Sequence, residues 1–214
     1  MAYLETENLC KYFGGLKAVD QVNFQVEEGQ LKSIIGPNGA GKTTLFNLLS
    51  GLYIPTQGKI FFQGKDITDK KMNQISQIGV TKTFQITHIF PRLTVFENVR
   101  ISAQSRKTSF NFWKKADSLE DINDKTMKIL ERVQLAASHD RVASTLSHGE
   151  KKYLEIGIAL ATDPKLLLLD EPTAGMSPAE TILATELIRT LRDKLNLTII
   201  LVEHNMSVVM NISD

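Results

Sequence analysis

Nine consecutive residues, Gly36-Pro37-Asn38-Gly39-Ala40-Gly41-Lys42-Thr43-Thr44, carry the most specific chemistry in the chain. They fit the pattern G-x-x-x-x-G-K-[ST] and lie between a strand-like and a helix-like segment, the context that pattern requires. Gly36, Gly39 and Gly41 allow backbone N–H groups, with those of Asn38 and Thr44, to turn inward around phosphate oxygens, and the helix start adds positive potential. In such a loop Lys42 reaches the β- and γ-phosphates and the Thr43 hydroxyl ligates Mg²⁺. A second group follows 128 residues after Lys42, where the apolar run Leu166-Leu167-Leu168-Leu169 ends in Asp170-Glu171. A magnesium-dependent phosphate site needs a carboxylate at a strand end, and Asp170 fits. Glu171 is then placed to polarise an attacking water as a general base. Alone, an apolar strand ending in Asp-Glu is weak evidence; paired with the glycine loop it is strong.

These groups need elements to hold them. Val22, Phe24 and Val26 alternate with Asn23 and Gln25, which predicts a strand with one wet face that Gly29 ends. Leu31 to Ile35 reads as a short strand feeding the glycine loop. A helix is expected from about Lys42, burying Leu45, Phe46, Leu48 and Leu49 and stopping at Gly51. Ile60-Phe61-Phe62 reads as an edge strand of a hairpin. From about His88 to Leu160 the pattern is mainly helical, with Ile122, Ile129, Leu130 and Val133 on one stripe. Phe110, Phe112 and Trp113 read as local packing, with a partner surface as the sharper alternative. Lys165 to Leu169 and Thr198 to Val202 read as strands buried on both faces of a parallel sheet. Between them, Ser177, Pro178 and Glu180 mark a capped helix start, with Leu183, Leu187, Leu191 and Leu195 expected on its buried face.

A third segment, Leu146-Ser147-His148-Gly149-Glu150, opens a helix-like run. With it, the chain resembles the ATP-binding subunits of ABC (ATP-binding cassette) transporters, whose Leu-Ser-Gly-Gly-Gln signature grips the γ-phosphate held by the opposite subunit. Ser147 and Gly149 match that grip; His148 replaces the first glycine and Glu150 the glutamine. The resemblance also implies that Phe13 stacks on adenine, with Tyr12 as the fallback, and that Gln85 contacts Mg²⁺ and the water. It implies that His204, which lies 33 residues after Glu171, is a switch group at the γ-phosphate. Ala174-Gly175-Met176-Ser177 departs from the commoner Ser-Ala-Leu-Asp.

The fold implied is α/β: a phosphate-loop NTPase core with a mainly parallel sheet, an N-terminal antiparallel β subdomain and an inserted α-helical subdomain. One domain, 1–214, is expected, with core and antiparallel β in 1–87 and 161–214 and helices in 88–160. The family domain usually runs some tens of residues beyond the point matching Asp214, so its end is expected to be missing. ATP and Mg²⁺ are the implied cofactors. Implied partners are transmembrane permease subunits, a second ATP-binding subunit in a homo- or heterodimer, and indirectly a substrate-binding protein. The segment Ile86 to Phe96 would meet the permease. Phe13-Gly14-Gly15-Leu16-Lys17-Ala18-Val19 and Val202 to Met210 are similar to the branched-chain amino-acid importer subgroup. Leu-Ser-His-Gly-Glu with Leu154-Glu155-Ile156-Gly157 also resembles urea and short-amide importers, and lipopolysaccharide-type exporters share several features.

Composition narrows the field. With 25 basic and 24 acidic side chains the net charge is +1, which argues against a broad nucleic-acid surface and for no nucleic-acid partner. The longest purely aliphatic run has four residues, against about 20 for a membrane span. The start, Met1-Ala2-Tyr3-Leu4-Glu5, has no signal-peptide pattern. The lone Cys10 forms no internal disulfide, as suits the cytosol. A peripheral place on the cytoplasmic face of the plasma membrane is therefore expected. Two other classes compete. A soluble ABC-type ATPase acting on nucleic acid or ribosomes would usually carry coiled coils or two cassettes. A phosphate-loop kinase would not need Leu146-Ser147-x-Gly149.

Overall fold

The computed structural model describes residues 2–83, 89–105 and 115–212, with 115–119 and 212 described as backbone only. Gln85, Phe110, Phe112 and Trp113, with 86–88 of the expected permease-facing segment, lie outside the described residues. Two compact units emerge, one of 1–82, 165–171 and 188–214, the other of 83–164 and 172–187.

The first unit holds two sheets. Strands β1 (Leu4–Phe13), β2 (Leu16–Val26), β4 (Gln57–Phe62) and β5 (Lys65–Asp66) form an antiparallel sheet in the order β2-β1-β4-β5. The polar–apolar alternation of β2 appears as expected, with Asn23 and Gln25 exposed and Val26 buried. The position of Ile60-Phe61-Phe62 differs from expectation: β4 is an interior strand, and the edge is the two-residue β5. Ile60 and Phe62 are buried because they face one core with Leu4, Leu49, Ile67 and Ile75. Phe62 packs edge-to-face on Tyr3, with ring centroids 5.2 Å apart.

Strands β3 (Leu31–Ile34), β6 (Val80–Lys82), β7 (Leu166–Asp170) and β8 (Thr198–Val202) form a parallel sheet in the order β3-β8-β7-β6. All five residues of β7 and of β8 are buried, which is why both read as apolar runs without alternation. Helix α1 (Lys42–Leu49) ends before Gly51, and Leu45, Phe46, Leu48 and Leu49 join one core with Leu166, Leu168, Ile200 and Val202. Helices α2 (Met72–Gln77) and α7 (Met206–Ile212) complete this unit.

The second unit is helical: α3 (Val95–Ser105), α4 (Lys115–Arg132) and α5 (His148–Leu160), with the first part of α6 (Pro178–Leu195). The stripe Ile122, Ile129, Leu130 and Val133 is buried as expected. Helix α5 passes close to it at Gly157, where a Cβ would lie 3.2 Å from Val133 Cγ2 and 3.6 Å from Val99 Cγ2. On α6 the expected buried row is corrected. Leu187 and Leu191 are buried, but Leu183 is 47% exposed and Leu195 half-buried. Steps of four residues drift by about 40° each around a helix of 3.6 residues per turn, so a four-spaced row leaves the buried face at both ends. Ala184 and Ile188, beside Leu187 and Leu191, take those buried places.

Candidate functional site

The parallel sheet places three segments at one edge. Ile34 pairs with Val202, and Val202 with Asp170, so β3, β8 and β7 end side by side. The glycine loop leaves β3, Glu171 leaves β7, and His204 follows β8. Carboxyl ends of parallel strands are where α/β sheets bind ligands.

The loop's shape rests on Gly41, the residue before α1. Its φ is +83°, and a Cβ there would lie 2.1 Å from the backbone oxygen of Ala18 on β2. No side chain fits that space, and a residue with a Cβ takes that φ only at a cost. Lys42 is buried, and its Nζ donates to the carbonyls of Gly36 and Pro37, both at 2.8 Å. The ammonium is thus folded back over the loop it must serve. Thr43 is exposed and Thr44 half-buried at the first turn of α1, and Asn38 and Gly39 are exposed at the loop's crest.

Asp170 ends β7 with a fully buried carboxylate, 3.3 Å from Lys82 Nζ. Lys82 was not among the residues singled out in the sequence. It lies at the end of β6, one strand over, and also donates to Asn47 Oδ1 of α1 at 2.7 Å. Burial pushes the Lys82 ammonium below its ordinary value, and Asp170 pulls back against that push. A buried ion pair is expensive to break, because removing one charge strands the other. No local sequence signal marks Lys82, since its partner is 88 positions away.

Glu171 turns out of the strand with φ +51°, the left-handed region that costs a non-glycine residue about 1 kcal/mol or more. Its N–H still donates to Val202 O at 3.0 Å. The twist aims its carboxylate at His204, whose Nε2 lies 2.6 Å from Glu171 Oε1. The residue after the buried strand and the residue after its neighbour therefore meet, as general base and orienting group would. Phe13, at the end of β1, is 43% exposed, with its ring edge-to-face on Tyr53 at 5.5 Å and Lys11 Nζ 5.3 Å from its centroid. Tyr12 is otherwise engaged: its hydroxyl donates to Asp20 Oδ1 at 2.6 Å, and that bond pushes its pKa up. The exposed ring is Phe13.

In the helical unit, Ser147 caps α5. Its Oγ accepts from Glu150 N at 3.2 Å, and Glu150 Oε2 accepts from Ser147 N at 2.7 Å. This reciprocal box takes glutamate or glutamine at its third position, so Glu150 can do locally what the signature's usual glutamine does. Gly149 is buried beside it. Arg141 Nη1 donates to Glu150 Oε1 at 2.7 Å. Burial raises the Glu150 pKa, but the Ser147 amide and the Arg141 guanidinium outweigh it, and the net value falls below the ordinary 4.5. A carboxyl lowered by folding stabilises above its unfolded value and loses that contribution as pH falls through the folded one. In thermal melts, the Tm gap between the parent and Glu150→Gln is therefore expected to be widest near pH 7 and to shrink below about pH 4.5. A gap independent of pH would contradict this.

The donors fit a magnesium nucleotide. Thr43 offers a hydroxyl and Asp170 one carboxylate. Among the described residues no three His, Cys, Asp or Glu side chains gather as a metal cage. Mg²⁺ takes few protein ligands when phosphates supply the rest.

A family model described as ABC transporter matches residues 19–174, well over half of the chain. The chain belongs to the ABC transporter family. Its relatives include the high-affinity branched-chain amino acid transport ATP-binding proteins BraF of Pseudomonas aeruginosa, 43% identical, and LivG of Escherichia coli, 42% identical. Each match spans 99% of this chain and 85% of the relative. A probable LivG of Archaeoglobus fulgidus is 40% identical over all of this chain and 84% of its own length. Among solved structures, a nucleotide-free ATP-binding cassette from an ABC transporter superposes with a TM-score of 0.87 at 36% identity, over 100% of this chain and 86% of that one. An ADP-conformation cassette gives 0.87 at 37% identity, over 100% and 85%. The α/β cassette fold expected from the sequence is therefore the fold found. As an ABC transporter subunit the chain is an ATP-binding ATPase, and its family membership implies a membrane permease. Among the described residues no helix is long and apolar enough to cross a membrane.

Proposed function

We propose that the chain is the ATP-hydrolysing motor of an importer for branched-chain amino acids, bound to its permeases at the cytoplasmic face of the membrane. Two copies, or one copy and a related subunit, close head to tail over two ATP molecules. Lys42 and the amides of Gly36, Asn38, Gly39, Gly41 and Thr44 hold the triphosphate. Phe13 stacks on the adenine. Thr43 and Asp170, with Gln85, would hold Mg²⁺, which would supply positive charge to shield the phosphates. Glu171 takes a proton from the attacking water, and His204 fixes its carboxylate. Ser147 and Gly149 of the other copy donate to the γ-phosphate and stabilise transition-state charge.

The observation that carries this reading is the meeting of Glu171 and His204 at 2.6 Å beside the loop's end of the sheet. Support for the substrate comes from the names of the relatives, all three of which transport branched-chain amino acids. A substrate-binding protein that feeds the permeases belongs to the same proposal. The test is uptake by vesicles holding the chain with its permeases and binding protein. ATP-dependent accumulation of leucine, isoleucine or valine is expected. Accumulation of urea or short amides instead, or export, would overturn the substrate or the direction.

A further inference from the structure

His148 is the signature residue that departs most from the family pattern, and the site described so far gives it no work. Its side chain is exposed, and its Nε2 lies 3.0 Å from the carbonyl oxygen of Ala174. A carbonyl only accepts, so Nε2 carries the proton and donates. The imidazole also covers Gly175, whose φ is +77° and where a Cβ would lie 3.1 Å from His148 Nε2 and 3.5 Å from Cδ2. One residue on, α5 approaches the helix that follows the turn. Gly149 backs onto Glu180, where a Cβ would meet Oε1 at 3.0 Å. Glu180 is itself fixed, with Oε2 accepting from Ser177 N at 2.9 Å. The start of α5 therefore meets the turn 172–177 at His148 and the first turn of α6 at Gly149, within one compact unit.

We propose that His148 is a positioning residue that latches the Ala174-Gly175 turn to Ser147 of the same chain. The phosphate-gripping serine and the turn that follows the general base in sequence are then presented to the partner copy's nucleotide as one piece. A signature with glycine at this position has no side chain to make the bond. This rests on the reading that Ser147 acts on the partner's nucleotide.

The test uses the full chain carrying Glu171→Gln, to which His148→Ala, His148→Gln and Ser147→Ala are added singly. Two things are measured: hydrogen exchange at the Met176 amide, which donates to Thr173 O across the latched turn, and ATP-driven association. His148→Ala is expected to speed exchange at Met176 several-fold and weaken association roughly tenfold, the size of one lost hydrogen bond. ATP affinity of the single chain should not change, since its loop is untouched. His148→Gln, whose amide reaches about as far, should restore both within about threefold. Parental exchange in His148→Ala overturns the latch. Faster exchange with parental association, while Ser147→Ala weakens association, overturns the link to the partner. Parental association in Ser147→Ala sinks instead the reading of Ser147 on which the proposal stands.

Discussion

Glu171→Gln is expected to lower ATP turnover by at least about a hundredfold while leaving ATP affinity within about twofold of the parent. A positioned general base contributes roughly 10²–10⁴ in rate. Glutamine keeps the shape and the hydrogen bond to His204 but cannot accept the water's proton. The Glu171 side chain is only 23% exposed and its carboxylate aims at His204, so binding is not expected to depend on its charge. Single-turnover kinetics with a separate binding titration check both halves. Retained turnover would take the base away from Glu171. Loss of binding would make it a nucleotide ligand.

Gly41→Ala should have the other large effect: loss of measurable ATP binding together with a lower Tm. The alanine methyl would stand 2.1 Å from a backbone oxygen of β2, which no rotamer change can relieve. The left-handed φ of +83° adds about 1–2 kcal/mol for a residue with a Cβ. Either the loop or β2 must move, and the loop carries the amides proposed to face phosphate. Calorimetric titration with ATP and a thermal melt read the two consequences. Binding at parental affinity would mean the loop tolerates another path and does not cradle the triphosphate through this turn.

What could be read from the chain without coordinates was whatever is local. The glycine loop, the Asp170-Glu171 strand end and the capping residue Ser177 announce themselves within a few positions, because turns and caps are made by neighbours. The apolar runs within β7 and β8 were legible because double-sided burial erases alternation. What escaped depends on pairing across distance. The interior place of β4 follows from its β1 neighbour, and nothing in Ile60-Phe61-Phe62 states it. Lys82 looks like an ordinary strand-end lysine until the parallel register sets it opposite Leu168, with its side chain in reach of Asp170. His148 looks like a tolerated substitution until the fold brings Ala174 to it across 26 positions. Leu183 was misplaced for a different reason: a four-residue step is not a helical period, and the error grows with each turn.

The central claim is that each nucleotide is held by the glycine loop of one copy and completed by Ser147 of another. A crystal structure of the Glu171→Gln chain with ATP and magnesium tests it most directly. Two chains should enclose two nucleotides, each with its triphosphate in the loop 36–44 and its γ-phosphate within hydrogen-bonding distance of the other chain's Ser147 hydroxyl. Nucleotide bound away from that loop, or a fully enclosed triphosphate with Ser147 of neither chain near it, would contradict the account.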